Sequence, residues 1–232
     1  MSTSFLNQAE SRRRFMQMGV TGVAGLLTGG LEVALPPGAR AQSALTPDAA
    51  LAELMAGNQR FITGRMTSNE HDLTILKEKT FDKQEPFAAL LSCADSRVPV
   101  ELIFDQTIGH IFVTRVAGNI VTPEIIASLE YGAAVLGTEV ILVMGHANCG
   151  AVKATIQGKE VPGQISALFP HIQPAVDQAG PNLEATTKAN AKIQAALLRE
   201  SSTVISSMVK QGKVKVVAGY YDVGTGAVTI LD

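Results

Sequence analysis

Two periodicities of apolar residues take turns along the chain. Leu51, Leu54, Met55, Asn58 and Phe61 recur at spacings of three and four, as on one buried helix face, and Thr46-Pro47-Asp48 ahead of them supplies a capping hydroxyl and a proline suited to a first turn. A helix is expected over residues 47–62, ending near Gly64, and a second, charged on one face, over 72–81. From residue 87 onward, short apolar runs alternate with helical stretches. Strands are expected over 87–93, 110–116 and 139–145, a short helix over 99–104, a longer one over 123–136, and another opening at Cys149. Residues 165–177 and 183–210 read as mainly helical, interrupted at Pro170, Pro174 and Gly180-Pro181. A fourth strand is expected over 213–221, and Thr225-Gly226 turns into a short fifth over 227–231, antiparallel because the connection is too brief for a crossover. This alternation builds an α/β fold: a mainly parallel four-stranded sheet plus a short antiparallel fifth strand, flanked by helices, with an N-terminal helical arm.

Composition divides the chain in two. The 232 residues are 46% hydrophobic and 17% charged, as in a compact domain, which we place at 42–232. Residues 1–41 read as an address. Arg12-Arg13-Arg14-Phe15-Met16 resembles the twin-arginine export signal and opens a 17-residue uncharged run with five glycines, too mild for an ordinary spanning helix. Pro36-Pro37 breaks any helix, and Ala39-Arg40-Ala41 offers the small residues that signal peptidase needs, so the mature start is placed at Gln42. An uncleaved anchoring helix is the other reading of the same segment. Export implies a periplasmic or otherwise external location, with the membrane touched only in transit. Net charge is −2, and without residues 1–41 it becomes −4, from 15 basic against 19 acidic groups. No basic face is left for phosphate backbones, so nucleic acid is excluded as a partner.

The candidate chemistry lies at two strand ends. L-S-C-A-D-S-R at 91–97 and G-H-A-N-C-G-A-V at 145–152 each follow an apolar run, and each holds one of the chain's two cysteines. In an open parallel sheet the crevice beyond the strands' carboxyl ends is where ligands bind. Cys93, His146 and Cys149 offer two sulfurs and an imidazole. That set suits zinc, and three protein ligands with one position left over is the pattern of catalytic zinc sites. Two cysteines and a histidine also fit buried core thiols or, in an oxidising compartment, a disulfide. Asp95 and Arg97 in the same loop favour the metal, since a plain core has little reason to hold an ion pair there.

C-A-D-S-R and G-H-A-N-C-G-A resemble the two metal-binding signatures of the β-class carbonic anhydrases. The likeness continues through Arg115-Val116-Ala117-Gly118-Asn119, Ser128-Leu129-Glu130-Tyr131 and Tyr221-Asp222-Val223-Gly224-Thr225-Gly226. It implies zinc-dependent reversible hydration of CO2 to bicarbonate and a proton, with one zinc per subunit held by Cys93, His146 and Cys149. It makes Asp95 and Arg97 the dyad beside the metal, Asp95 either accepting a hydrogen bond from the metal's water or swinging in as a fourth ligand. Gln84, Phe112 and Tyr131 match pocket positions of the plant-like branch, partly supplied there by a neighbouring subunit. Ala117 and Gly118 would complete the pocket, and Gln84 is the candidate donor to a bicarbonate oxygen. A homodimer or dimer of dimers is implied, with the 47–62 helix reaching over a partner. Other bacterial members carry a regulatory bicarbonate site that uses a tryptophan, and this chain has none. The rival readings are CS2 or COS hydrolysis on the same scaffold and a zinc-binding regulatory protein without turnover. His110, where the family often has an acidic residue, is read as a polar residue near a strand start.

Overall fold

In a computed structural model the described residues are 45–67, 74–75 and 80–231. The expected export segment, and most of the helix expected over 72–81, lie outside them. The chain runs α1 (Pro47–Ile62), β1 (Ala88–Ser92), α2 (Val100–Ile103), β2 (Ile111–Arg115), α3 (Pro123–Glu130), β3 (Val140–His146), α4 (Gly150–Gln157), α5 (Phe169–Ala179), α6 (Leu183–Ser201), α7 (Thr203–Lys210), β4 (Lys215–Tyr221) and β5 (Val228–Leu231). The strands form one sheet in the order β2-β1-β3-β4-β5. All neighbours are parallel except β4 and β5, which pair antiparallel as expected.

This order places the site. From β1 the chain crosses to β2 on one side of the sheet, then returns to lay β3 on the other side of β1, so the winding reverses between β1 and β3. A crevice opens at the carboxyl ends of strands at such a switch point. Ser92 is level with Met144 in the β1–β3 register, which brings Cys93 opposite the Gly145-His146 end of β3.

Both faces of the sheet are covered. Every residue of β1 and of β3 is buried, which is why both read as continuous apolar runs rather than alternating ones. Ala88, Leu90, Val140 and Leu142 face a cluster completed by Ala50 and Leu54 of α1 and by Phe104; Ala89, Leu91, Ile141 and Val143 face Leu129, Ala191, Leu198 and Ile205. Each buried leucine or isoleucine stabilises the fold by about 1.5–3 kcal/mol.

The helices correct three sequence readings. Pro170 stands at the start of α5 and Pro174 within it, and neither interrupts it. Pro170 falls in the first turn, where no amide bond is due, whereas Pro174 forfeits the bond to the Pro170 carbonyl and the helix still runs on to Ala179. The stretch expected as one helix over 183–210 breaks at Ser202, whose hydroxyl accepts from the Ile205 amide at 2.9 Å and so begins α7. The helix expected over 123–136 is α-helical only to Glu130 and continues as a wider π-turn over Tyr131–Val135. There a Cβ on Gly132 would lie 3.1 Å from the Phe112 ring, so the glycine lets this turn close onto β2.

Candidate metal centre

Cys93 directly follows β1, His146 ends β3, and Cys149 caps α4. The three residues are buried, and one ligand atom from each lies within 4.8 Å of the other two. Both cysteines are free thiols, so they are not joined in a disulfide.

Local structure orients each donor. Asn148 takes a left-handed φ of 56°, which asparagine tolerates better than most residues, and the Ala147 amide donates to the Tyr221 carbonyl at 2.8 Å, tying this loop to the end of β4. His146 Nδ1 lies 2.9 Å from the Ala147 carbonyl. A carbonyl only accepts, so Nδ1 carries the ring proton and Nε2 presents its lone pair. That Nε2 is enclosed and has no hydrogen-bond partner among the described residues. Leaving such an atom unsatisfied costs about 1–3 kcal/mol, and beside the two sulfurs its lone pair offers a third donor to a cation.

The thiols are prepared in the same way. Contact with Cys149 pushes the Cys93 thiol down, the amides of Gly118 and Asp95 add to the effect, and burial opposes it. The same contact, with burial, pushes Cys149 up. Two adjacent sulfur donors of this kind suit a metal such as zinc. The Gly118 amide donates to Cys93 Sγ at 3.4 Å.

Asp95 and Arg97 form the pair expected beside these donors. Arg97 Nε and Nη2 donate to the two Asp95 oxygens at 2.9 and 2.8 Å, and the Arg97 amide adds a third bond at 2.9 Å. The guanidinium holds the Asp95 carboxyl well below the usual carboxylate range. Arg97 also donates to the Asn148 carbonyl at 3.3 Å, so it bridges the two loops. Asp95 Oδ2 stands 3.9 Å from His146 Nε2. In this arrangement Asp95 is engaged by Arg97 and stands beside the three-residue group rather than within it.

The pocket residues divide. Phe112 and Tyr131 come together, with ring centroids 6.2 Å apart, and Gly118 touches the Cys93 sulfur. Ala117 precedes it in the same turn, whereas Gln84 is exposed on the segment leading into β1. His110 precedes β2, at the opposite end of the sheet from the donors, and its ring packs edge-on to Phe87. Sequence reasoning gave Arg115 no role. The structure has it donate through Nε to the Cys93 carbonyl at 2.9 Å and through Nη2 to the Asp95 carbonyl, fixing the first loop from the neighbouring strand. An arginine ending a strand beside a site loop was the available signal.

The profile of the family described as carbonic anhydrase matches residues 88–228. Carbonic anhydrase 2 of Mycobacterium tuberculosis is 30% identical over 198 residues, covering 80% of this chain and 93% of that protein. A carbonic anhydrase of Mycolicibacterium smegmatis is 31% identical over 195 residues, covering 79% and 93%. Among solved structures, the beta-carbonic anhydrase CcaA superposes with a TM-score of 0.63 at 26% identity, covering 78% of this chain and 87% of that one.

Proposed function

Because this chain belongs to the β-class carbonic anhydrase family, we propose that Cys93, His146 and Cys149 hold one zinc ion per subunit and that Asp95, fixed by Arg97, orients the nucleophile. The chain is a carbonic anhydrase, a lyase that hydrates CO2 reversibly to bicarbonate and a proton. The observation that carries the residue roles is the buried trio of donors at neighbouring strand ends, one of them a nitrogen lone pair without a partner among the described residues. When bound, zinc supplies a Lewis acid that makes water nucleophilic near neutral pH, and two anionic sulfurs weaken that effect relative to three imidazoles.

The chain's own groups do the rest. Ionised Asp95 accepts a hydrogen bond from the attacking water and aims it, and Arg97 keeps the carboxylate charged and in place. CO2 has no charge to grip, so Ala117 beside the donors, with Phe112 and Tyr131 brought in by a partner subunit, would offer it an apolar wall, while Gln84 from that subunit and the amides around the site would serve the developing bicarbonate oxygen. The match of Gln84, Phe112 and Tyr131 favours the plant-like branch.

Metal analysis coupled to stopped-flow CO2 hydration between about pH 7 and 9 tests the assignment. Stoichiometric zinc, activity rising with pH and loss of both in Cys149→Ala are expected. Full zinc and turnover in Cys149→Ala would remove it as a ligand, and turnover of CS2 or COS alone would move the substrate.

Export and assembly are part of the same proposal. The twin-arginine segment over 1–41 supports passage of a folded, metal-loaded chain to the periplasm or beyond. A homodimer or dimer of dimers is supported by the sheet edge at β2, where Ile111, Phe112 and Val113 are only partly buried, and by the neighbouring Tyr131 and Val135, 46% and 47% exposed. Light scattering of the mature protein should give at least twice the chain mass.

A further inference from the structure

α6 carries two buried carboxamides that no step above uses. Asn190 is fully buried and Gln194 is 1% exposed, and four residues apart they share one helix face. Asn190 Nδ2 donates to the Gly118 carbonyl at 2.9 Å, and Gln194 Oε1 accepts from the Val121 amide at 2.8 Å. Gln194 Nε2 donates to Asn190 Oδ1 at 3.2 Å and to the His171 carbonyl of α5 at 2.9 Å. The two side chains thus brace each other and grip the 118–121 segment at both ends.

That segment touches the metal centre. Gly118, whose carbonyl Asn190 holds, points its amide at Cys93 Sγ. The residue has no slack: its φ is 76°, and a Cβ would come within 2.7 Å of Ile172 on α5. Hydrogen bonds to a ligand atom set its orientation and the charge it donates.

We infer that Asn190 and Gln194 are positioning residues of the metal centre, locking the 118–121 segment so that the Gly118 amide stays on the Cys93 sulfur and limits the charge this sulfur gives to a metal. The inference rests on the zinc-site reading above. Its test compares the full-length wild type with Asn190→Ala, with Gln194→Met, which keeps the side chain's length, and with Ile205→Ala, a buried truncation on α7 outside the grip. Each is loaded with cobalt to read the sulfur-to-metal charge-transfer band, and with zinc to time its transfer to a chelator. Both carboxamide variants should shift the band and release zinc about tenfold faster, whereas Ile205→Ala lowers the melting temperature and leaves both readings as in the wild type. Carboxamide variants that melt earlier with an unmoved band and unchanged zinc release would show a purely structural role and overturn the inference. Should either variant not fold, amide exchange in the zinc-loaded wild type decides: Gly118 and Val121 protected like β3 supports the lock, and exchange at surface rates overturns it. A wild type that takes up no metal would instead sink the zinc-site reading, and with it this inference.

Discussion

Two aspartates show how single residues divide between chemistry and stability. Asp95 is the proposed working group: with its carboxylate held by Arg97, Asp95→Asn should keep stoichiometric zinc yet lose about a hundredfold or more in the hydration rate, the loss typical of removing a positioned acid or base. A variant with wild-type turnover would take Asp95 out of the mechanism. Asp105 is built for stability. Its side chain is 1% exposed, Arg60 Nε donates to it, and the Thr67 amide and hydroxyl each donate at 2.9 Å. Burial pushes this carboxyl up, but these donors outweigh it and the net shift is downward. A folded value below the unfolded one means stabilisation present above about pH 3.9 and lost as pH falls through the folded value. Asp105→Asn should therefore flatten the acid limb of a urea-unfolding profile and cost about 2–3 kcal/mol at neutral pH, discounted because Arg60 is one-third exposed. An acid limb as steep as the wild type's would assign it to other groups.

At the scale of elements, α1 is held by one close approach and one staple. A Cβ on Gly57 would sit 1.8 Å from the Phe104 carbonyl oxygen, so Gly57→Ala must push the helix off its seat. It should cost at least about 3 kcal/mol in chemical unfolding, well beyond the small helical gain of alanine; a neutral result would mean the helix does not seat there. Beside it, Asn58 donates to the carbonyls of Ile103 and Gly226 and accepts from the Val228 amide. This helix was legible because Thr46 caps it and its apolar spacing is regular, with Asn58 falling on the buried face for a reason that only the fold reveals. The break at Ser202 was not legible. It depends on that hydroxyl turning to the Ile205 amide and donating to Glu130 at 2.6 Å, a tertiary contact with α3. The donors could be read from sequence because each half of the site is one short motif at a strand end. Asn190 and Gln194 could not, since their partners lie about 70 residues away across a helix packed on the sheet.

Across the whole molecule, the metal should act as a cross-link between the β1 and β3 loops. Stripping zinc with a chelator should lower the melting temperature by several degrees, because an ion that binds only the folded state stabilises it by mass action; an unchanged melting temperature would mean that the donors hold nothing. The His146 loop is completed from far along the chain, by the Tyr221 carbonyl that receives the Ala147 amide. Since a nascent chain emerges from its N-terminus, all three donors leave the ribosome before the strand that secures them. Ribosome-bound chains stalled before residue 221 should thus bind zinc poorly, which would place insertion of the ion after synthesis is nearly finished.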